Sequence, residues 1–172
     1  MTSQSTNLYN LLIPILSTSC NPHSEFYIYL ADDGLDLWLA VLQTAPALTA
    51  ELLGLIEFIP SILQAGAENL KICFKILDCY LLLDIYQFTA SPWFAPVCTM
   101  LSESFDEFTE DSQLLIVKFI GAYNLAAHAQ TVAQLPGPML QLLSHAVGLI
   151  NVSIGPVLRS CVYSLVGTLD CI

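Results

Sequence analysis

The sequence predicts an all-α fold, an α-solenoid of stacked antiparallel helix pairs of the HEAT type, with about four repeats and eight helices. Three observations predict it. Apolar residues recur at intervals of three and four throughout, and no segment alternates with the period of a half-buried strand. Capping and helix-breaking residues punctuate the chain between these segments. Finally, 55% of the 172 residues are hydrophobic and only 11% are charged. A helix that contacts its own partner and the pairs before and after it needs apolar residues on more than one stripe, which accounts for that excess.

The helices follow in order. The first carries Leu8, Leu11, Leu12 and Ile15. The second carries Leu35, Trp38, Leu39 and Leu42. Asp32 or Asp33 supplies its expected cap, and Thr44-Ala45-Pro46 ends it, since the residue before proline disfavours helix. Thr49 caps a third with Leu52, Leu55, Ile56, Ile59 and Leu63, and Gly66 is the expected left-handed terminator. Leu70, Cys73, Phe74, Leu77 and Leu81 mark the fourth. Ser91-Pro92 opens the fifth as cap and first-turn proline, ahead of Trp93, Val97, Met100, Leu101 and Phe105.

Thr109-Glu110-Asp111-Ser112 caps the sixth, with carboxylates where the helix dipole favours them, before Leu114, Val117 and Ile120. Pro136 and Pro138 open the seventh (Met139, Leu142, Leu143, Val147). Pro156 opens the eighth (Val157, Cys161, Leu165, Leu169). Equivalent points on successive pairs lie about 40 residues apart, the spacing of HEAT and armadillo repeats, although no sequence word recurs.

Fifteen acidic residues face four basic ones, a net charge of −11. Such a chain repels phosphate backbones and anionic lipid headgroups, which argues against nucleic-acid partners and leaves basic proteins as the complementary class. A mean hydropathy of +0.67 raises the membrane alternative. Each apolar window is interrupted: residues 140–158 hold Gln141, His145, Asn151 and Pro156, and residues 71–88 hold two lysines and two aspartates. Basic residues cluster at no segment end, so the positive-inside signal is missing and membrane insertion is not expected.

The amino terminus lacks a basic stretch before its apolar run and makes a poor signal peptide. Asn151-Val152-Ser153 fits a glycosylation sequon, which matters only in a secreted chain. Six scattered cysteines with no C-x-x-C read as buried free thiols in a reducing compartment.

Catalysis finds no footing. There is no G-x-S-x-G, P-loop, G-x-G-x-x-G or H-E-x-x-H, and His23, His128 and His145 share no ligand spacing, so no enzyme activity, metal or cofactor is expected. Asp32 and Asp33 are adjacent rather than facing, which does not make an acid/base pair. As calcium ligands they would need oxygen donors at positions that Leu35 and Leu37 occupy.

Tyr29-Leu30 followed by Asp32-Asp33-Gly34-Leu35-Asp36-Leu37-Trp38-Leu39 resembles the "YLLEDGLELWL" block of the importin-β superfamily of nuclear transport receptors. The likeness continues through Leu52-Leu53 and through Glu68-Asn69-Leu70-Lys71-Ile72-Cys73-Phe74-Lys75-Ile76, which is similar to that family's "ENL-x-x-CFKI" segment. Fainter matches include Leu8-Tyr9, Leu11 to Pro14 and the prolines at 136 and 138. Ala31, Asp32 and Asp36 depart from the larger residues of the family, and residues 84–95 match poorly.

The resemblance implies a long HEAT solenoid that carries protein cargo through nuclear pores, shuttles between nucleus and cytoplasm, and releases cargo on binding the GTP form of Ran. It further implies that residues 1–172 form a single interior slice of such a solenoid, truncated at both ends, without the Ran-binding repeats. A slice with uncapped ends is expected to self-associate. A general HEAT scaffold with no transport role is the alternative, and a small integral membrane protein a remote one.

Two kinds of residue carry expectations. Asp33, Gly34, Leu35, Trp38, Leu39, Leu42 and Phe74 are expected to be structural. Glu103, Asp106, Glu107, Glu110 and Asp111 form the expected partner-binding patch for basic cargo or a basic face of Ran, against the simpler reading of a solvated turn. Trp93, at a helix start, is the expected contact for pore proteins, ahead of Trp38 on its core stripe.

Overall fold

A computed structural model describes residues 2–129, 136–148 and 155–169. All its regular elements are helical: α1 (Thr2–Ser19), α2 (Tyr27–Thr44), α3 (Ala50–Gly54), α4 (Ile59–Ala65), α5 (Leu70–Ala90), α6 (Phe94–Glu103), α7 (Glu110–Ala129), α8 (Gly137–Gly148) and α9 (Pro156–Leu169). The sequon at Asn151, Cys171 and the side chain of His128 lie outside the described residues. The element starts keep the expected repeat spacing: α2, α5 and α7 begin at 27, 70 and 110, and α3, α6 and α8 at 50, 94 and 137. The chain divides into two compact units, residues 1–80 and 81–172.

In the first unit, α1 packs along α2. Gly34 makes that approach possible. A Cβ there would sit 2.5 Å from the Ser19 hydroxyl oxygen and 2.8 Å from the Ser19 Cβ, inside van der Waals contact. Leu35, Trp38, Val41 and Leu42 form the buried face of α2.

The third expected helix is interrupted. Thr49 caps α3, accepting from the Leu52 amide at 3.4 Å, and a 3₁₀ turn (Leu55–Phe58) leads into α4 with Pro60 in its first turn. The expected apolar set Leu52, Leu55, Ile56, Ile59 and Leu63 is nevertheless buried throughout. Three elements meet at Tyr80 of α5. Its hydroxyl accepts from Trp38 Nε1 at 3.0 Å and donates to the Leu52 carbonyl, while the two rings meet edge to face at 6.3 Å. Phe74 is buried on the same helix.

In the second unit, α6 packs on α8 and α7 on α9. Phe88, Phe94 and Tyr123 form an aromatic run, with centroids 5.2 and 6.1 Å apart, in a core that also takes Val97, Leu101, Ile120 and Leu142. The α5 backbone leaves helical geometry at Asp84 (φ −164°, ψ 96°). There its carboxylate accepts from the Gln87 amide at 2.9 Å and from Gln87 Nε2 at 2.8 Å, an N-cap for the turns that follow.

Five expectations are corrected. Ser91 and Pro92 do not open α6 as cap and first-turn proline: the helix begins at Phe94, and the Ser91 hydroxyl accepts from the Trp93 amide in the turn before it. Asp32 and Asp33 do not cap α2, because the helix begins more than a turn earlier at Tyr27, and both are exposed mid-helix. Asn21 and Ser24 shape its approach instead, accepting from the His23 and Phe26 amides. Asp33 is thus exposed mid-helix rather than at the helix start, and Leu39 is only half-buried. Gly66, at φ 163° and ψ 157°, is extended rather than left-handed. Two stripes are displaced by one residue: Leu16 is buried in place of Leu11 and Ile15 on α1, and Leu158 and Val162 in place of Val157 on α9. Where neighbouring positions are all apolar, periodicity admits either register and tertiary packing chooses.

Cys20, Cys73, Cys79, Cys98 and Cys161 are free thiols, the first, second and fourth of them buried. Burial pushes Cys20 up to about 11 and Cys73 and Cys98 up to about 12.

Candidate functional site: an acidic turn before α7

The acidic patch is built on a short braced turn in the second unit. Glu103 ends α6, Asp106 and Glu107 lie in the 3₁₀ turn Phe105–Glu107, and Glu110 and Asp111 occupy the first turn of α7. Phe105 anchors the turn, its ring fully buried. The Gln113 side-chain amide donates to the Phe105 carbonyl at 3.0 Å, tying the turn to α7. Thr109 Oγ1 accepts from the Ser112 amide at 3.4 Å and lies 3.0 Å from the Ser112 hydroxyl, fixing the start of that helix.

With backbone and Phe105 held from inside, all five acidic residues are exposed. Glu110 has a second relation: a Cβ on Gly155 would overlap its Oε1, so the carboxylate lies against the bare α-carbon at the start of α9. Thr109, Glu110, Asp111 and Leu114 share a cleft there with Val157 and Leu158. Glu110 and Asp111 thus complement the dipole of α7, and Glu110 stands beside that of α9 as well.

Trp93 stands apart. It is half-buried at the start of α6, its amide donating to the Ser91 hydroxyl at 3.3 Å. The length of α6 separates it from Glu103 by about 15 Å. Sequence reading missed the Gln113 brace and the Glu110–Gly155 contact. The first is an eight-residue bond between a side chain and a carbonyl that no periodicity encodes; the second joins residues 45 apart in sequence.

Chemically, this arrangement offers charge and shape rather than reactivity. Among the described residues no group of three or more His, Cys, Asp or Glu side chains is placed to hold a metal ion, and no helix is long and apolar enough to cross a membrane. What the fold and this turn define is a segment of an all-helical repeat protein with an acidic face.

Comparison with known proteins places that class. Residues 1–162 match the family model described as "Importin-11-like, TPR repeats". Importin-11 of Mus musculus is 33% identical over 118 residues, and that of Homo sapiens 32% over the same length. Importin beta-like protein KAP120 of Saccharomyces cerevisiae is 26% identical over 121 residues. The chain therefore belongs to the importin-11-like helical-repeat family, within the importin-β type of nuclear transport receptor. These matches take in 67–69% of this chain but only 12% of each relative. The family description names its repeats TPR, whereas the helix starts recur here at 40 to 44 residues, closer to HEAT than to TPR spacing. No solved structure matches the chain.

Proposed function

We propose that this chain serves in nuclear import as a cargo-binding portion of a transport receptor, not as an enzyme. It binds basic protein cargo through the acidic turn at Asp106, Glu107, Glu110 and Asp111, with Glu103 at its margin. In the receptor, the GTP form of Ran releases the cargo, pore proteins are met during passage, and the protein shuttles between cytoplasm and nucleus. Trp93, remote from the carboxylates, is a separate contact for an apolar partner segment.

Membership of the importin-11-like family across residues 1–162 carries this reading. The net charge of −11 supports the choice of cargo chemistry, because an acidic face attracts basic partners and repels nucleic acid.

The test is a titration of a fluorescent protein bearing a lysine-rich tail against wild type and against the D106N/E107Q/E110Q/D111N variant, at low and physiological salt. Removing four exposed charges should weaken binding at low salt by about tenfold and flatten its salt dependence. Unchanged affinity at low salt would remove the acidic turn from the proposal.

A further inference from the structure

In the second unit, one carboxylate stands between two helices. Glu110 lies in the first turn of α7, and its carboxyl group rests on the bare α-carbon of Gly155, immediately ahead of α9. A Cβ at Gly155 would overlap Oε1 and stand 2.7 Å from Cδ and 2.9 Å from Oε2, so all three carboxyl atoms crowd one point. The Gly155 backbone lies outside the left-handed region. Its missing side chain is therefore required by the carboxylate rather than by the turn.

The two helices need Glu110 unequally. At the start of α7, Thr109 Oγ1 accepts from the Ser112 amide at 3.4 Å, and Asp111 adds a further carboxylate to the first turn. The start of α9 has neither provision. Gly155 carries no capping side chain, Pro156 occupies the first position, and no acidic residue stands in the first turn. Arg159 adds positive charge at the same end. Such a helix start attracts an anion from another element, and Glu110 is the carboxylate set against it. Leu158 and Val162 are buried on the inner side, whereas Val157 is exposed and lines the cleft with Glu110 and Asp111. Apolar packing thus holds the first turn of α9 from one side and this charge from the other.

We propose that Glu110 is a latch between the acidic turn and α9: a cationic group that takes its carboxylate withdraws it from Gly155 and loosens the first turn of α9. The switch rests on the reading of the acidic turn as a site for basic groups. Because the whole carboxyl group is packed on the Gly155 α-carbon, the two uses exclude each other. Linkage then runs in both directions. Binding at the turn loosens α9, and a change that expels Glu110 from α9 favours binding. The opening is local, since Leu158 and Val162 keep the rest of the helix seated.

Amide hydrogen exchange from Val157 to Ser160 reports the first turn of α9, and a fluorescein-labelled hexalysine peptide reports binding. Without peptide, Glu110→Ala should speed exchange there by about three- to tenfold. Gly155→Ala should do the same by displacing the carboxylate, and E110A/G155A should exchange no faster than E110A. Asp32→Asn, an equal loss of charge in the first unit, should leave α9 unchanged. Saturating wild type with the peptide should speed the same amides, with no such effect in E110A. Gly155→Ala should bind the peptide about threefold more tightly than wild type, a gain that a merely structural glycine would not produce.

Equal exchange in Glu110→Ala and wild type would overturn the latch. So would a peptide that binds wild type without speeding exchange in α9, or that Gly155→Ala binds no more tightly. A peptide that fails to bind wild type at low salt would instead remove the basic-partner reading of the turn, and the switch with it. Glu110 is exposed and Gly155 precedes its helix, so circular dichroism should show the helix content of both variants unchanged.

Discussion

Gly34 shows how much a single residue can decide here. The absent Cβ lets α2 lie against Ser19 of α1, and a methyl group would overlap both the Ser19 hydroxyl and its Cβ. Gly34→Ala should therefore destabilise the protein by about 1–3 kcal/mol despite the better helix propensity of alanine. Adding Ser19→Gly should recover part of that loss. A thermal-unfolding series that finds Gly34→Ala stabilising, or no recovery in the double variant, would contradict the close approach.

Asp78 is the second residue with a measurable consequence. Partial burial pushes its carboxyl up to about 6, and one of its oxygens is buried without a hydrogen-bond partner. The unfolded value is near 3.9, so between these values the native state binds more protons than the unfolded chain. Stability then falls as pH rises from about 4 through about 6. Asp78→Asn should be neutral near pH 4 and stabilising at pH 7.5. Because the side chain is only about half-buried, the gain, discounted for solvent screening, is about 1 kcal/mol, or about 2–4 °C in Tm. A Tm difference that does not change between the two pH values would contradict it.

At the scale of elements, the Trp38–Tyr80–Leu52 chain is a buried polar link inside the first unit, joining α2, α5 and α3. Tyr80→Phe would leave Trp38 Nε1 buried without its acceptor, while the Leu52 carbonyl keeps a backbone donor in Leu55. The expected cost is about 1–3 kcal/mol. A double-mutant cycle with Trp38→Phe should show a favourable coupling; additive losses would mean the bond contributes nothing.

Most elements were legible because punctuation here has local causes. Thr49, Thr109, Pro136 and Pro156 act within a turn of their own position, and each lies at the expected helix start. The misread start of α2 has the converse cause. Asp32-Asp33-Gly34 carries capping chemistry in sequence, but Asn21 and Ser24 turn the chain earlier and the helix is already formed when the aspartates arrive. The break at Asp84 was not legible, because a lone Asp-x-x-Gln in an apolar run is a weak signal. Asp84→Ala should cost about 1 kcal/mol of stability, and Asp84→Asn much less, as unfolding measurements would show.

For the whole molecule, composition and charge were the informative quantities. Excess apolar content called for helices buried on several sides, and the core is distributed over α1 to α5 in one unit and α5 to α9 in the other. The acidic residues of the site were identifiable by spacing, but their support was not, since Phe105, Gln113 and Gly155 act through tertiary contacts. Family membership rests on the match of residues 1–162 to the importin-11-like family model.

The most direct measurement takes the native protein purified from its own cells, loads it with a lysine-rich fluorescent cargo, and adds Ran in its GTP or its GDP form. The transport account predicts release by the GTP form alone. Cargo that stays bound equally in both would contradict it and leave a protein-binding scaffold.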